Sequence, residues 1–432
     1  MRKDIPAKFC KYALPQMFGL LFNSVYFIVD GVFIGNRLGR EAMAAAGVAV
    51  PMLEFMIAVS MAVTAGCGVM ISLLLAQNRN YEANQCAMHG LFMTCAIGIG
   101  LCLLGNIFLQ PLADMLGSTS TIEQDVHSYL SIILSMSPFM LLSFLLGGLV
   151  RNDGHPVHAM VALTVGSLSN IFLDWLFMYP CDMGISGAAW ATALGPLLSD
   201  MILLPHFLLK RGALRFTSVR LRLWQFGKIL TLGLPSFVME FTIGMITFIT
   251  NMSIGRLGLG EMGLAAYLLI GYLMLIILTL YLGMAEGLQP VFSSMKGTND
   301  AAGLNSMRRF SLTVFCLIGF VSYVLVFLFS DSFYGLFTAG DEALLKFTAE
   351  RSRAYFSGFL FAGINILLIS YWQATEVTAK GMVTALLRSA ILPPVFILFI
   401  PMLAGSSIFW YGHSIVEALT AVIALTILLC GF

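Results

Sequence analysis

Hydrophobic residues run through this chain in long, nearly unbroken stretches, without the alternation of a half-buried strand. Twelve stretches stand out, roughly at 13–36, 48–76, 86–109, 126–150, 157–178, 186–209, 229–252, 263–293, 308–330, 347–371, 382–403 and 407–430. A helix rising ~1.5 Å per residue crosses the hydrocarbon core with about 20 apolar residues, so each stretch suffices for one crossing. A transmembrane barrel would instead show alternating segments of ~10 residues. The pattern predicts an all-α polytopic membrane protein. The eighth stretch holds Gly283, Gly287 and Pro290, and is expected to bend or break near its inner end. The longest polar connection, Lys210–Lys228, falls at the midpoint. It divides the chain into an N-terminal six-helix bundle (1–209), a basic linker (210–228) and a C-terminal six-helix bundle (229–432).

The halves repeat. Leu14-Pro15 recurs as Leu234-Pro235. Ile34-Gly35, Leu38-Gly39 and Ala44-Ala45 recur in order as Ile254-Gly255, Leu259-Gly260 and Ala265-Ala266. Gly39, Gly66 and Asn78 match Gly260, Gly287 and Asn299 at a constant offset of 221. With six crossings per copy, both copies start on the same side of the membrane. Parallel repeats of this kind place a substrate site between the halves.

Composition narrows the function. The chain of 432 residues is 59% hydrophobic and 10% charged, with net charge +1 and mean hydropathy +0.91; soluble proteins carry about 25% charged residues. No bulk field points to nucleic acid, and none is expected as a partner. The basic start (Arg2, Lys3, Lys8, Lys11) leads into a long apolar helix with no small-residue cleavage site, so no cleavable signal peptide is expected. Of the 23 Lys and Arg residues, 17 fall on the side that holds the N-terminus; Arg151, Lys380 and Arg388 are counted among its loops. The positive-inside rule then puts both termini in the cytoplasm. Eight scattered cysteines, without zinc or CxxC spacing, read as small hydrophobes. The six histidines form no HExxH or paired metal spacing, and GxSxG is absent. Neither an enzyme nor an organic cofactor is expected.

Against this apolar background the acids matter. A carboxylate at mid-bilayer costs on the order of 2.5–3.5 kcal/mol on insertion scales, and marks a functional site by default. Asp30 lies inside the first stretch, and Asn23, Tyr26 and Asp30 form one stripe at i, i+3 and i+7. Further acids are Glu54, Asp174, Glu240, Glu286 and Glu417. Deep Lys or Arg are nearly absent by this count. The chain also has 26 Met and 34 Phe, which suit promiscuous apolar and cationic ligands but equally face lipid.

The ordered set Pro15, Asn23, Asp30, Gly35, Gly39 and Ala44–Ala46 resembles the opening of multidrug and toxic compound extrusion (MATE) transporters. Gly233-Leu234-Pro235-Ser236 and Gly287-Leu288-Gln289-Pro290 extend the resemblance into the second half. It implies two pseudo-symmetric six-helix bundles forming a V around a central cavity. It implies alternating access, with Na⁺ or H⁺ moving inward and amphipathic, cationic compounds moving out across the plasma membrane (the inner one in bacteria that have two). It implies a cation site in the N-terminal bundle, formed by Asp30, Asn170, Asp174 and Thr192, which would also be the Na⁺ ligands of a sodium-coupled member. Asn23, Tyr26, Glu240, Gln289 and Glu417 are the expected cavity residues, and a monomer is the expected state.

The residues allow this chemistry. Asn170 and Asp174 share a helix face at i, i+4. Asp30, Asp174 and Thr192 each fall within about 10 Å of the same membrane boundary at ~1.5 Å per residue. Two carboxylates, an amide carbonyl and a hydroxyl are hard oxygen ligands for a hard cation; two carboxylates in one pocket can equally trap a proton. Between Phe356 and Ala374 the tenth stretch has no acid, where some family members carry one. That favours coupling at Asp30 and Asp174. The alternative, a flippase or exporter of a lipid-linked or polysaccharide precursor, expects an arginine-rich cavity.

Overall fold

The computed structural model describes residues 4–218, 220–335 and 341–430. Every described element is helical, without a strand among the described residues. Twelve spans result when each of two bent helix pairs is taken as one crossing. Spans one to three are Ile5–Gly39, Glu41–Ala76 and Asn80–Ile107; the fourth is Glu123–Ser135 with Ser137–Asn152. The fifth and sixth are Pro156–Met178 and Ile185–Leu208. The seventh to ninth are Leu223–Arg256, Met262–Gly297 and Ala301–Gly335; the tenth is Glu342–Phe356 with Phe359–Ala374. Thr378–Leu403 and Gly412–Cys430 complete the set. The seventh begins six residues before the apolar pattern suggests, so the central connection is shorter than the linker read from composition. Arg2 and Lys3, counted for orientation, lie outside the described residues.

Four of the repeat residues have positive φ. Gly39 (φ 85°) ends the first span and Gly260 (φ 60°) opens the helix of the eighth. Only glycine enters that region without strain. Asn78 (φ 61°) and Asn299 (φ 55°) end the second and eighth spans in the left-handed conformation. There the amides of Arg79 and Asp300 donate to the carbonyls of Leu74 and Met295, at 2.9 and 3.0 Å. This closes both helix ends with the same Schellman turn.

Gly66 and Gly287 serve a different purpose. A Cβ on Gly66 would strike the backbone of Ile229 in the seventh span, and one on Gly287 the backbone of Tyr12 and Ala13 in the first. Gly233 packs likewise on Ala62, and Gly283 on Met17. Gly297 meets Ala76, its own partner at the offset of 221, so the pseudo-twofold axis passes between them. Within lipid, helices associate by close van der Waals approach, which small residues permit. The bundles are therefore zipped where the N-terminus lies, an end called the base below. Toward the opposite end, the mouth, a Cβ on Gly31, Gly47, Gly255 or Gly271 would meet nothing within 4 Å. The molecule is a V closed at its base.

The eighth span is not broken as expected. It runs as one helix from Gly260 to Gly297 through Pro290, and its glycines are spent on the first span instead. Irregularity appears in the eleventh span, where Pro393 and Pro394 have no N–H to give. Wide π-helical turns run over Leu387–Ile391 and, starting at the second proline, over Pro394–Phe399, a device frequent at functional sites.

Candidate functional site

In the N-terminal bundle, glycine first sets the helix spacing. Gly166 of the fifth span and Gly195 of the sixth approach backbone to backbone, with Asn170 packed on Gly195. This brings the fifth-span pair Asn170 and Asp174 against Thr192. Arg37 fixes the mouth end of the first span to the end of the fifth. It donates to Asp182 at 3.0 Å and to the Met178 carbonyl at 3.3 Å, and lies over the Tyr179 ring. Asp30 is thereby carried into the gap between the two helices.

All four expected site residues meet there. Asp30, Asn170, Asp174 and Thr192 are 9, 2, 0 and 8% exposed. The carboxyl groups of Asp30 and Asp174 lie beside each other. Tyr26 flanks both carboxyls, and Tyr129 of the fourth span reaches Thr192. Yet six buried polar atoms of the four residues have no hydrogen-bond partner among the described residues: one oxygen of Asp30, both of Asp174, both amide atoms of Asn170 and the Thr192 hydroxyl. Each unmet buried group costs about 1–3 kcal/mol. A packing role would have paired them. Two carboxyls, an amide and a hydroxyl have the chemistry to hold a proton or a hard monovalent cation.

The C-terminal bundle is arranged differently. Glu417, 1% exposed, receives Arg388 at 2.8 Å through Nη2 and through Nε. Asn365 of the tenth span donates to its other oxygen at 2.7 Å. His413 stands 3.9 Å away, stacked on Tyr355. Arg388, counted above with the loops, is thus an intramembrane cation. The π-helical turn that carries it turns it onto Glu417. Glu417 lines a cavity of about 720 Å³ together with Glu240, Met239, Met274, Tyr267 and Phe359, but its charge is already matched.

Between the bundles a second cavity of about 540 Å³ is lined by Glu240, Glu286, Gln289, Arg151, Thr64 and Gln373. Glu240 is half-buried and belongs to both cavities. Gln289 sits deep in the second cavity near Gly68. Glu286 is held from the N-terminal bundle by Gln16 at 2.8 Å and Arg151 at 3.5 Å, so it clasps the two bundles near the base. Arg151 was also assigned to a loop; it is buried in this clasp. Glu54 leans on the backbone at Gly244 across the same interface. Of the other expected cavity residues, Tyr26 turns to the carboxyl pair instead, and Asn23, half-buried, lines neither cavity.

Sequence reasoning missed three residues. Tyr129 carried no motif. Arg388 was hidden by its nearness to a span end. Asp200 was legible: it is an acid within the sixth apolar stretch, 1% exposed.

The family model MatE matches residues 15–176 and 235–399, each segment falling in one bundle. The chain is 24% identical over 424 residues to the multidrug export protein MepA of Staphylococcus aureus, covering 96% of this chain and 92% of that protein. It is 22% identical over 418 residues to MepA of Staphylococcus saprophyticus, with the same coverage. Its fold matches the outward-facing structure of a multidrug resistance MATE family transporter of the MOP superfamily. The TM-score is 0.92 at 20% identity, over 98% of this chain and 95% of that one.

Proposed function

The chain belongs to the MATE family, and we propose that within it this protein is a secondary active antiporter exporting amphipathic cations in exchange for Na⁺ or H⁺. The carrying observation is the cluster of Asp30, Asp174, Asn170 and Thr192, whose buried polar atoms lack partners among the described residues. The role of the MepA relatives in multidrug export supports the same reading. The V closed at its base supports alternating access. With the base in the cytoplasm, as the Lys and Arg distribution suggests, this state opens outward from the plasma membrane. A cation entering from the mouth neutralises the carboxyl pair and removes the cost of its burial. The energy difference between occupied and empty pocket then biases which end of the V is closed. Glu240, the one half-buried acid common to both cavities, is the group that attracts a cationic cargo, and Met239, Tyr267 and Phe359 supply its apolar and aromatic walls. The protein acts as a monomer, since the cavity lies within one chain.

The alternative, export of a lipid-linked or polysaccharide precursor, needs free positive charge in the cavity. Arg151 and Arg388 are each engaged with a glutamate, which argues against it. The deciding experiment is efflux of a cationic dye from proteoliposomes under an imposed Na⁺ gradient or an imposed pH gradient. Efflux that follows one gradient and ignores the other names the coupling ion. Efflux that follows neither overturns the antiport reading.

A further inference from the structure

The N-terminal bundle holds a third acid that the pocket does not use. Asp200 sits in the sixth span, two helical turns from Thr192 on the base side, or about 12 Å at ~1.5 Å per residue. It is 1% exposed, and neither of its carboxylate oxygens has a hydrogen-bond partner among the described residues. A buried carboxylate without a donor or a cation is not stable as an anion; it holds a proton or an ion. The surroundings distinguish the two. Hard cations require several oxygen ligands together. The hydroxyl of the adjacent Ser199 is already given to the Ala162 carbonyl at 2.9 Å. The third span offers the Cys95 thiol. A lone carboxyl with a thiol neighbour suits a proton.

The titratable and charged groups on the packed helices fall into an order along the bundle. On the fifth span, Asp174 lies toward the mouth, and His158, bonded to the Ile202 carbonyl at 2.9 Å, lies toward the base. The fourth span brings Tyr129 at the level of Thr192, His127 nearer the mouth, and Arg151 directed away to Glu286. On the sixth span itself, His206 follows Asp200 by six residues, about 9 Å. Its Nε2 contacts Asp153 at 2.8 Å, and Asp153 also accepts the amide of Ala213 at 2.9 Å from the central connection. Asp200 therefore stands between the pocket and the titratable groups of the base.

We propose that Asp200 is a proton-binding site of the N-terminal bundle, through which a proton taken up at the Asp30–Asp174 pocket passes to the base. Asp200 takes the proton on one carboxylate oxygen and gives it up toward His158 and His206; no bond other than O–H or N–H changes. The proposal rests on the antiport reading and names H⁺ as the ion.

Two measurements on the full-length protein in liposomes test it. The first is infrared difference spectroscopy across a pH step and on addition of the dye ethidium. The protonated-carboxyl band of Asp200 is expected to respond to both, to vanish in Asp200→Asn, and to shift in Asp200→Glu. A wild-type difference spectrum in which no such band depends on Asp200 overturns the proposal. The second is ethidium efflux driven by a pH gradient. Asp200→Asn is expected to lower it roughly tenfold or more, and Asp200→Glu to keep it within about threefold of wild type. Wild-type efflux in Asp200→Asn overturns the proposal. If Asp200→Asn fails to fold, Asp200→Glu carries both measurements, and an unshifted band there overturns it. If the wild type ignores a pH gradient altogether, the antiport reading with H⁺ fails, while the infrared result still decides whether Asp200 binds a proton.

Discussion

The two bundles share a scaffold and handle buried carboxylates in opposite ways. In the C-terminal bundle Glu417 is closed by Arg388 and Asn365. In the N-terminal bundle Asp30, Asp174 and Asp200 have no cation against them among the described residues, and most of their oxygens lack any donor. At the offset of 221 Asp30 corresponds to the neutral Asn251, so the second half repeats the scaffold of the first span without its charge.

The comparison can be broken most severely at Asp30. Asp30→Asn and Asp174→Asn are each expected to reduce gradient-driven dye efflux to the level of protein-free liposomes. Because they remove an uncompensated buried acid, they should leave unfolding in detergent unchanged or shift it to higher denaturant. Normal efflux in either variant would remove the coupling role. Next comes Arg388→Met, which strands Glu417 without its cation. It should lose about 3–5 kcal/mol of stability, and the double variant Arg388→Met with Glu417→Leu should recover most of that. Equal stability of the single and double variants would show that the pair is not what holds the C-terminal bundle.

A smaller effect is expected at the bundle contact. Gly287→Ala places a methyl group against the backbone of Tyr12 and should cost about 1–3 kcal/mol in the base-closed state. Distances between spin labels on the base ends of the first and eighth spans should lengthen; an unchanged distribution would mean that the zipper yields elsewhere. The smallest effect belongs to Glu240. Glu240→Gln should weaken binding of a cationic dye by about 3- to 10-fold, up to ~1.4 kcal/mol, and that of a neutral analogue less. Equal loss for both would assign Glu240 to packing.

Much of the architecture was readable because lipid imposes severe local rules. A crossing must be long, apolar and helical, so twelve stretches and two repeats stand out from the letters alone. Asp30 and Asp174 were readable for the same reason, as costly residues in a solvent that does not hydrate them. Asp200 obeyed that rule and was overlooked. Tyr129 and the engagement of Arg388 obeyed no local rule. Glu417 looked like a free acid because its partner lies 29 residues earlier on another helix.

The sequence by itself determined the crossings, the repeat and the depth of Asp30 and Asp174. These follow from hydropathy and helix rise, which act along the chain. Only the tertiary structure decided which acids are matched and which are not. The field at a buried carboxyl is set by groups a few ångströms away on other helices, and helix contacts here depend on glycines whose partners no stretch of sequence names. Glu417 and Asp30 look alike as letters in an apolar run; one is matched within the fold, and the other is not.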